Sequence, residues 1–321
     1  MRKCLCVLAL ILIAVSCKKK NENEKKIQAV PVEEVKIERF DKLFYEVGVE
    51  NLEQLKKQYP YFFPEGNADT VWTNRMRHPL YRELYEEVQK KYPDTEKLQK
   101  ELQSLFKHIK FYFPEENLPE KVITLISEMD YESRTIYTDS IAIISLDLYL
   151  GKDHKFYEFP VYLKENFVPE QIMPNLVTSF SYHKIAPPRD RSLLEQMVYH
   201  GKELYLKDLL IPDYTDNAKI GYTPEQLAWT QENEAYIWQY FIDENLLFDT
   251  DFRLNARFIA VAPFSKFYLD IDNESPGRIG TWVGWQIVRA YMKNNKNVSL
   301  NEMLAMDAKE IFDNSKYKPK K

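Results

Sequence analysis

Five histidines are spread through the chain, and His200 stands beside a carboxylate within a clear helical pattern. His200 and Glu203 lie three residues apart in Ser192–Leu210, SLLEQMVYHGKELYLKDLL, so a helix puts them on one side, one turn apart. An imidazole beside a carboxylate can ligate a metal or move a proton. With His183 brought close in space, His200 and Glu203 would supply three ligands, the set for a metal-dependent hydrolase with an unconventional site. Against this stands the absence of H-E-x-x-H, since no two histidines are four residues apart. Ser179, Ser192 and Ser265 lie in no G-x-S-x-G elbow, and there is no P-loop or glycine-rich dinucleotide loop. Asp270, Asp272 and Glu274 alternate in a manner that could offer oxygens to calcium, but the twelve-residue EF-hand pattern is missing, which favours a solvated turn. The sequence therefore predicts no cofactor, no resident metal and, more readily than an enzyme, a binding protein.

A second constellation suits binding. Leu193, Leu194, Met197, Val198, Leu204 and Tyr205 form one apolar helix face, and Gly201 interrupts it. A mid-helix glycine costs about 1 kcal/mol against alanine, so a close neighbour is expected there. The block Asn273–Tyr291 repeats the feature. Pro276-Gly277 is a turn, Thr281 can cap a helix, and Gly280 and Gly284 stand four apart beside Trp282 and Trp285. Arg278 and Arg289 would be available to anions. Two readings follow. One is a peptide or ligand cleft between helices 192–210 and 281–294, lined by His200, Gly201, Arg278, Gly280, Trp282, Gly284, Trp285 and Arg289. The other is tight helix packing, which explains the glycines equally well.

The elements that must position these residues are mostly helical. Helical patterns cover 41–59, 80–91, 95–113, 171–182, 192–210, 223–245, 281–294 and 299–312, while 69–73 and 78–79 read as loops. Strand patterns occur at 35–40, 121–127, 134–137 and 140–148. The fold class is thus α+β, predominantly helical, with a small central sheet between N- and C-terminal helices. With only 8 glycines in 321 residues, a β-sandwich is disfavoured. A formal net charge of -5 gives no nucleic-acid footprint.

The first residues address the chain. Arg2 and Lys3 precede an apolar run, Leu5–Val15, too short for a stable span. The run ends in Ala14-Val15-Ser16-Cys17, which resembles a bacterial lipoprotein signal. That resemblance implies a signal peptide over 1–16, lipid attachment at Cys17 and anchorage in a membrane. A charged, flexible tether is expected over 17–32 and a single globular domain over 33–321. The other cysteines, Cys4 and Cys6, fall within the signal, leaving no thiolate for catalysis or disulfides. Lys18-Lys19-Lys20 after the anchor lacks acidic residues, which favours the periplasmic face of the outer membrane.

Several blocks carry a family resemblance. They are Ser16-Cys17, Tyr59-Pro60-Tyr61-Phe62-Phe63, Asp147-Leu148-Tyr149-Leu150-Gly151, Asn273–Tyr291 and Asn314-Ser315-Lys316-Tyr317. Together they resemble the gliding-motility lipoprotein GldB family of Bacteroidetes, over essentially the whole mature chain. The resemblance implies an envelope lipoprotein working with proteins of the motility and type IX secretion machinery. Helix 192–210 and the block 277–291 are also similar to a set of predicted zinc-dependent proteases. In those, an acidic ligand precedes a glycine where His200 precedes Gly201 here. The missing H-E-x-x-H implies a degenerate zincin-like fold, a pseudoenzyme without its metal.

Overall fold

Two apolar runs form the middle of the sheet. The computed structural model describes residues 22–319. The strands β1 (Ile37–Arg39), β2 (Lys121–Leu125), β3 (Thr135–Tyr137) and β4 (Ile141–Ser145) are ordered β1-β2-β4-β3. β2 is parallel to β1 and β4, pairing Val122 with Ala142 and Ile123 with Ile143, and β3 is antiparallel to β4. Val122, Ala142 and Ile144 face the larger core, while Ile123 faces a second core. Burial on both faces is why β2 and β4 read as continuous apolar runs.

The second core is aromatic and belongs to the N-terminal layer. Between β1 and β2 run α1 (Phe40–Glu46), α2 (Leu52–Gln58), α3 (Asp69–Arg77), α4 (Pro79–Lys91) and α5 (Glu96–Tyr112). Phe40, Phe44, Tyr59, Phe63 and Trp72 pack on the sheet, with Phe63 and Trp72 ring centroids 5.0 Å apart. The buried Asp41 ties the layer down. It accepts from Arg39 Nη2 at 2.7 Å, Gln89 Nε2 at 2.8 Å and Thr124 Oγ1 at 2.5 Å, joining β1, α4 and β2.

The larger core takes Leu84 and Val88 of α4 and Leu102, Leu105 and Ile109 of α5, and is otherwise built mostly from the C-terminal helices. These are α6 (Ile172–Ser181), α7 (Leu193–Leu210), α8 (Asp216–Ile220), α9 (Pro224–Glu232), α10 (Glu234–Asp243), α11 (Arg253–Phe258), α12 (Ile279–Asn294), α13 (Leu300–Ala305) and α14 (Ala308–Ser315). Ser192 caps α7 through Glu195 N, and capping boxes start α9 (Thr223, Gln226) and α13 (Ser299, Glu302). α7 and α12 make the most extensive contact between any two described elements.

The predominantly helical α+β class agrees with the structure, and several boundaries differ. Residues 69–73, expected as loop, begin helix α3, because Trp72 and Met76 at i, i+4 bury into the aromatic core. The helix expected over 223–245 breaks at Asn233, whose Nδ2 donates to the Trp229 carbonyl at 2.8 Å. The one expected over 299–312 breaks where Asp307 caps α14 through Lys309 N and Glu310 N. The strand expected over 140–148 ends at Ser145. Beyond it, buried Asp147 turns back to accept from Ser127 N at 2.9 Å and Met129 N at 2.7 Å. Burial pushes the Asp147 carboxyl up to about 6 despite those bonds. Residues 22–28, expected within the flexible tether, are helical, with Ile27 buried and Gln28 O accepting from Lys107 Nζ. The expected signal peptide and the expected attachment point, Cys17, lie outside the described residues.

Candidate functional site

The two glycine-bearing helices meet backbone to backbone. A Cβ on Gly201 would lie 2.4 Å from the Gly284 carbonyl atoms, and one on Gly284 would lie 1.8 Å from Met197 O. At Gly280 it would meet Ile259 Cδ1 at 3.0 Å. Trp282 and Trp285 are buried beside this seam. No open cleft runs between α7 and α12, so packing accounts for these glycines and the expected cleft is replaced by a closed contact. Arg289 is not open to ligands either. It makes a two-sided fork, with Nε to Asp208 Oδ2 at 2.7 Å and Nη1 to Asp216 Oδ2 at 2.8 Å, and its guanidinium lies 3.6 Å from the Trp285 ring centroid. Asp208 also accepts from Trp285 Nε1 at 2.9 Å and Lys219 Nζ at 3.0 Å.

Where the seam ends, a polar cavity of about 320 Å³ opens. α7 presents His200, Glu203 and Lys207 to it at i, i+3 and i+7, on one helix face. α6 contributes Asn175 and Thr178, and Arg134 enters from the residue before β3. Arg278 enters from the residue before α12, at a left-handed φ of 61°. A residue other than glycine held there carries strain of about 1 kcal/mol or more, which the surrounding packing must sustain.

Inside the cavity the charges pair unevenly. Glu203 and Lys207 are both buried, and their ion pair is 3.0 Å long. Glu203 also accepts from Thr178 Oγ1 at 2.7 Å, and its second oxygen is 3.6 Å from His200 Nδ1. Burial alone would push the Glu203 carboxyl up, but Lys207, His200 and Arg278 hold it well below the usual carboxylate range. Burial lowers the Lys207 ammonium, and Glu203 opposes that shift. Lys219 is paired with Asp208 at 3.0 Å, and Glu165 with Lys152 at 3.1 Å. Arg134 and Arg278 are left. Arg134 lies 4.5 Å from the Tyr131 ring centroid, and Arg278 donates to Ile220 O at 2.8 Å. Neither has a carboxylate partner among the described residues. Both charges reach Tyr182, whose hydroxyl burial and Glu203 raise while Arg134 and Arg278 oppose.

Of the residues singled out from sequence, His200, Glu203 and Arg278 meet in this cavity. His183 is exposed and does not line it. Among the described residues, no three His, Cys, Asp or Glu groups gather as a metal site would require. The acidic turn is self-contained, since Asp272 accepts from the backbone N–H of Phe267, Tyr268 and Leu269. Sequence reasoning missed Arg134, Thr178 and Lys207. Lys207 was recoverable, because it follows Glu203 by four residues on the same helix face; Arg134 and Thr178 arrive through tertiary contact and carry no local signal.

No helix among the described residues is long and apolar enough to cross a membrane. No curated protein and no solved structure matches the chain. One family does match, described as gliding motility protein GldB, and the match runs over residues 20–319, from ahead of the first described helix to the end of the described chain. The match takes in both cores, the α7–α12 seam and the cavity, and by it the chain belongs to the gliding motility protein GldB family of lipoproteins.

Proposed function

We propose that this lipoprotein is a non-enzymatic component of the gliding motility and type IX secretion-associated apparatus, and that it works by binding a protein or peptide in the cavity between α6, α7 and the start of α12. The observation that supports binding over turnover is the state of Glu203. A general base works best with a pKa near the working pH. Glu203 is tied to Lys207 and Thr178 and held well below the usual carboxylate range. Asn255 lines the cavity with an exposed side chain. Asn255→Trp should fill the cavity mouth without touching a core. In cells lacking the native copy, the variant should be made and anchored but fail to restore gliding. Full restoration would remove the cavity from the function. The specific feature favouring a metal-dependent hydrolase is the His200–Glu203 approach at 3.6 Å. Equimolar zinc in the purified protein, lost in His200→Ala, would support that reading instead.

Anchorage through Cys17 at the periplasmic face of the outer membrane belongs to the same proposal. Cys17→Ser should move the protein from the membrane fraction to the soluble fraction. Unchanged membrane association would remove Cys17 as the attachment point.

A further inference from the structure

The cavity has a surplus of cationic groups over carboxylates. Its carboxylates, Glu203 and Glu165, are each paired with a lysine. Three of its amide nitrogens are also committed. Asn166 Nδ2 donates to Gly221 O, Gln171 Nε2 to Ala218 O and Asn175 Nδ2 to the Tyr149 hydroxyl, while Gln226 Oε1 closes the capping box of α9. What remains for a ligand is the pair of guanidiniums, Arg134 and Arg278, without carboxylate partners. Both guanidiniums are half-buried and line the same cavity, and a ligand carboxylate placed between them would accept charge-assisted hydrogen bonds from each. Apolar groups line the same cavity. Val261 and Tyr182 are 48% and 59% exposed, and Ile259 and Ala262 line the wall below them.

We propose, building on the binding reading above, that the cavity captures the free C-terminal carboxylate of a peptide chain, with Arg134 and Arg278 as its counter-charges and the Val261–Tyr182 rim receiving an apolar side chain near that end. A cavity of about 320 Å³ accommodates a chain end rather than a folded surface. An acidic sugar shares the carboxylate but offers no apolar side chain to Val261 and Tyr182.

The test compares acetyl-Ala-Leu with a free C-terminus against the same dipeptide amidated, titrated calorimetrically into the full-length lipoprotein in detergent at low salt. The free acid should bind about tenfold to a hundredfold more tightly than the amide, the difference expected from hydrogen bonds to a charged group. Arg134→Gln with Arg278→Gln should abolish the preference, and the Arg134→Lys, Arg278→Lys pair should retain part of it. Equal binding of acid and amide would overturn the assignment, as would no binding of the free acid at millimolar concentration. Tighter binding of glucuronate than of the free acid would transfer the site from peptides to acidic sugars. Each of these failures leaves the Asn255→Trp gliding result standing, so the carboxylate assignment and the binding reading fall separately.

Discussion

Gly284→Ala is expected to destabilise the protein by about 3–5 kcal/mol, enough to exhaust much of the stability of an ordinary domain. The argument is geometric. The added Cβ would sit 1.8 Å from Met197 O, and the neighbouring carbonyl carbon is 2.3 Å away. Both atoms are backbone, so no rotamer change makes room. α7 would have to move away from α12 by more than an ångström, separating apolar side chains along the most extensive helix contact in the fold. Alanine is the better helix former by about 1 kcal/mol, so any loss is net of that gain. Gly201→Ala should follow closely, since its contacts at 2.4 Å are also backbone atoms. Gly280→Ala should cost least, because its contacts, Ile259 Cδ1 at 3.0 Å and Phe258 O at 3.1 Å, are much looser than those at the other two glycines. Urea denaturation at matched pH gives the ranking. A Gly284→Ala variant within about 1 kcal/mol of the parent would contradict the closed seam.

This seam shows what local sequence can carry. A glycine on the apolar face of a long helix signals that something is close, and Gly201, Gly280 and Gly284 all gave that signal. Whether the neighbour was a ligand or another backbone depended on the crossing point of two helices about eighty residues apart, which no local pattern encodes. Arg289 illustrates the same limit. An arginine beside two tryptophans could face an open groove, but Asp208 near the end of α7 and Asp216 at the start of α8 converge on it. The sheet was easier to read, because strands buried on both faces leave unbroken apolar runs such as Ile141–Ile144. α3 was not, since its polar composition hides Trp72 and Met76 until the aromatic core supplies a surface for them. The cavity was half legible. His200, Glu203 and Arg278 stood out as types, and Arg134 and Thr178 became relevant only when β3 and α6 were placed beside α7.

The Glu203–Lys207 pair decides whether the cavity's positive surplus is built in or incidental, and Lys207→Met tests it. The variant should be destabilised by about 3–5 kcal/mol at pH 7, the range for breaking a buried pair by removing one partner. Methionine matches much of the lysine stem, so the loss is that of the charge and of the bond from Lys207 Nζ to Lys219 O at 3.1 Å. The deficit should also depend on pH in a direction fixed by linkage. In the parent, the Glu203 carboxyl is held below its ordinary value of 4.5, so its contribution is present above that pH and is lost only as pH falls through the depressed value. Without Lys207, burial becomes the dominant influence and the folded-state value rises above the unfolded one. Its contribution is then full below about 4.5 and is lost as pH rises through the new folded value. The deficit of Lys207→Met should therefore shrink as pH is lowered from 7 towards 4.5. Adding Glu203→Gln should recover much of it at pH 7, because a neutral amide can stay beside Thr178 without an unpaired buried charge. A deficit below about 1 kcal/mol at pH 7, or one indifferent to pH, would mean that Glu203 is solvated rather than paired. In that case its negative charge would be free to offset Arg278, and the cavity would lose the surplus on which carboxylate capture depends.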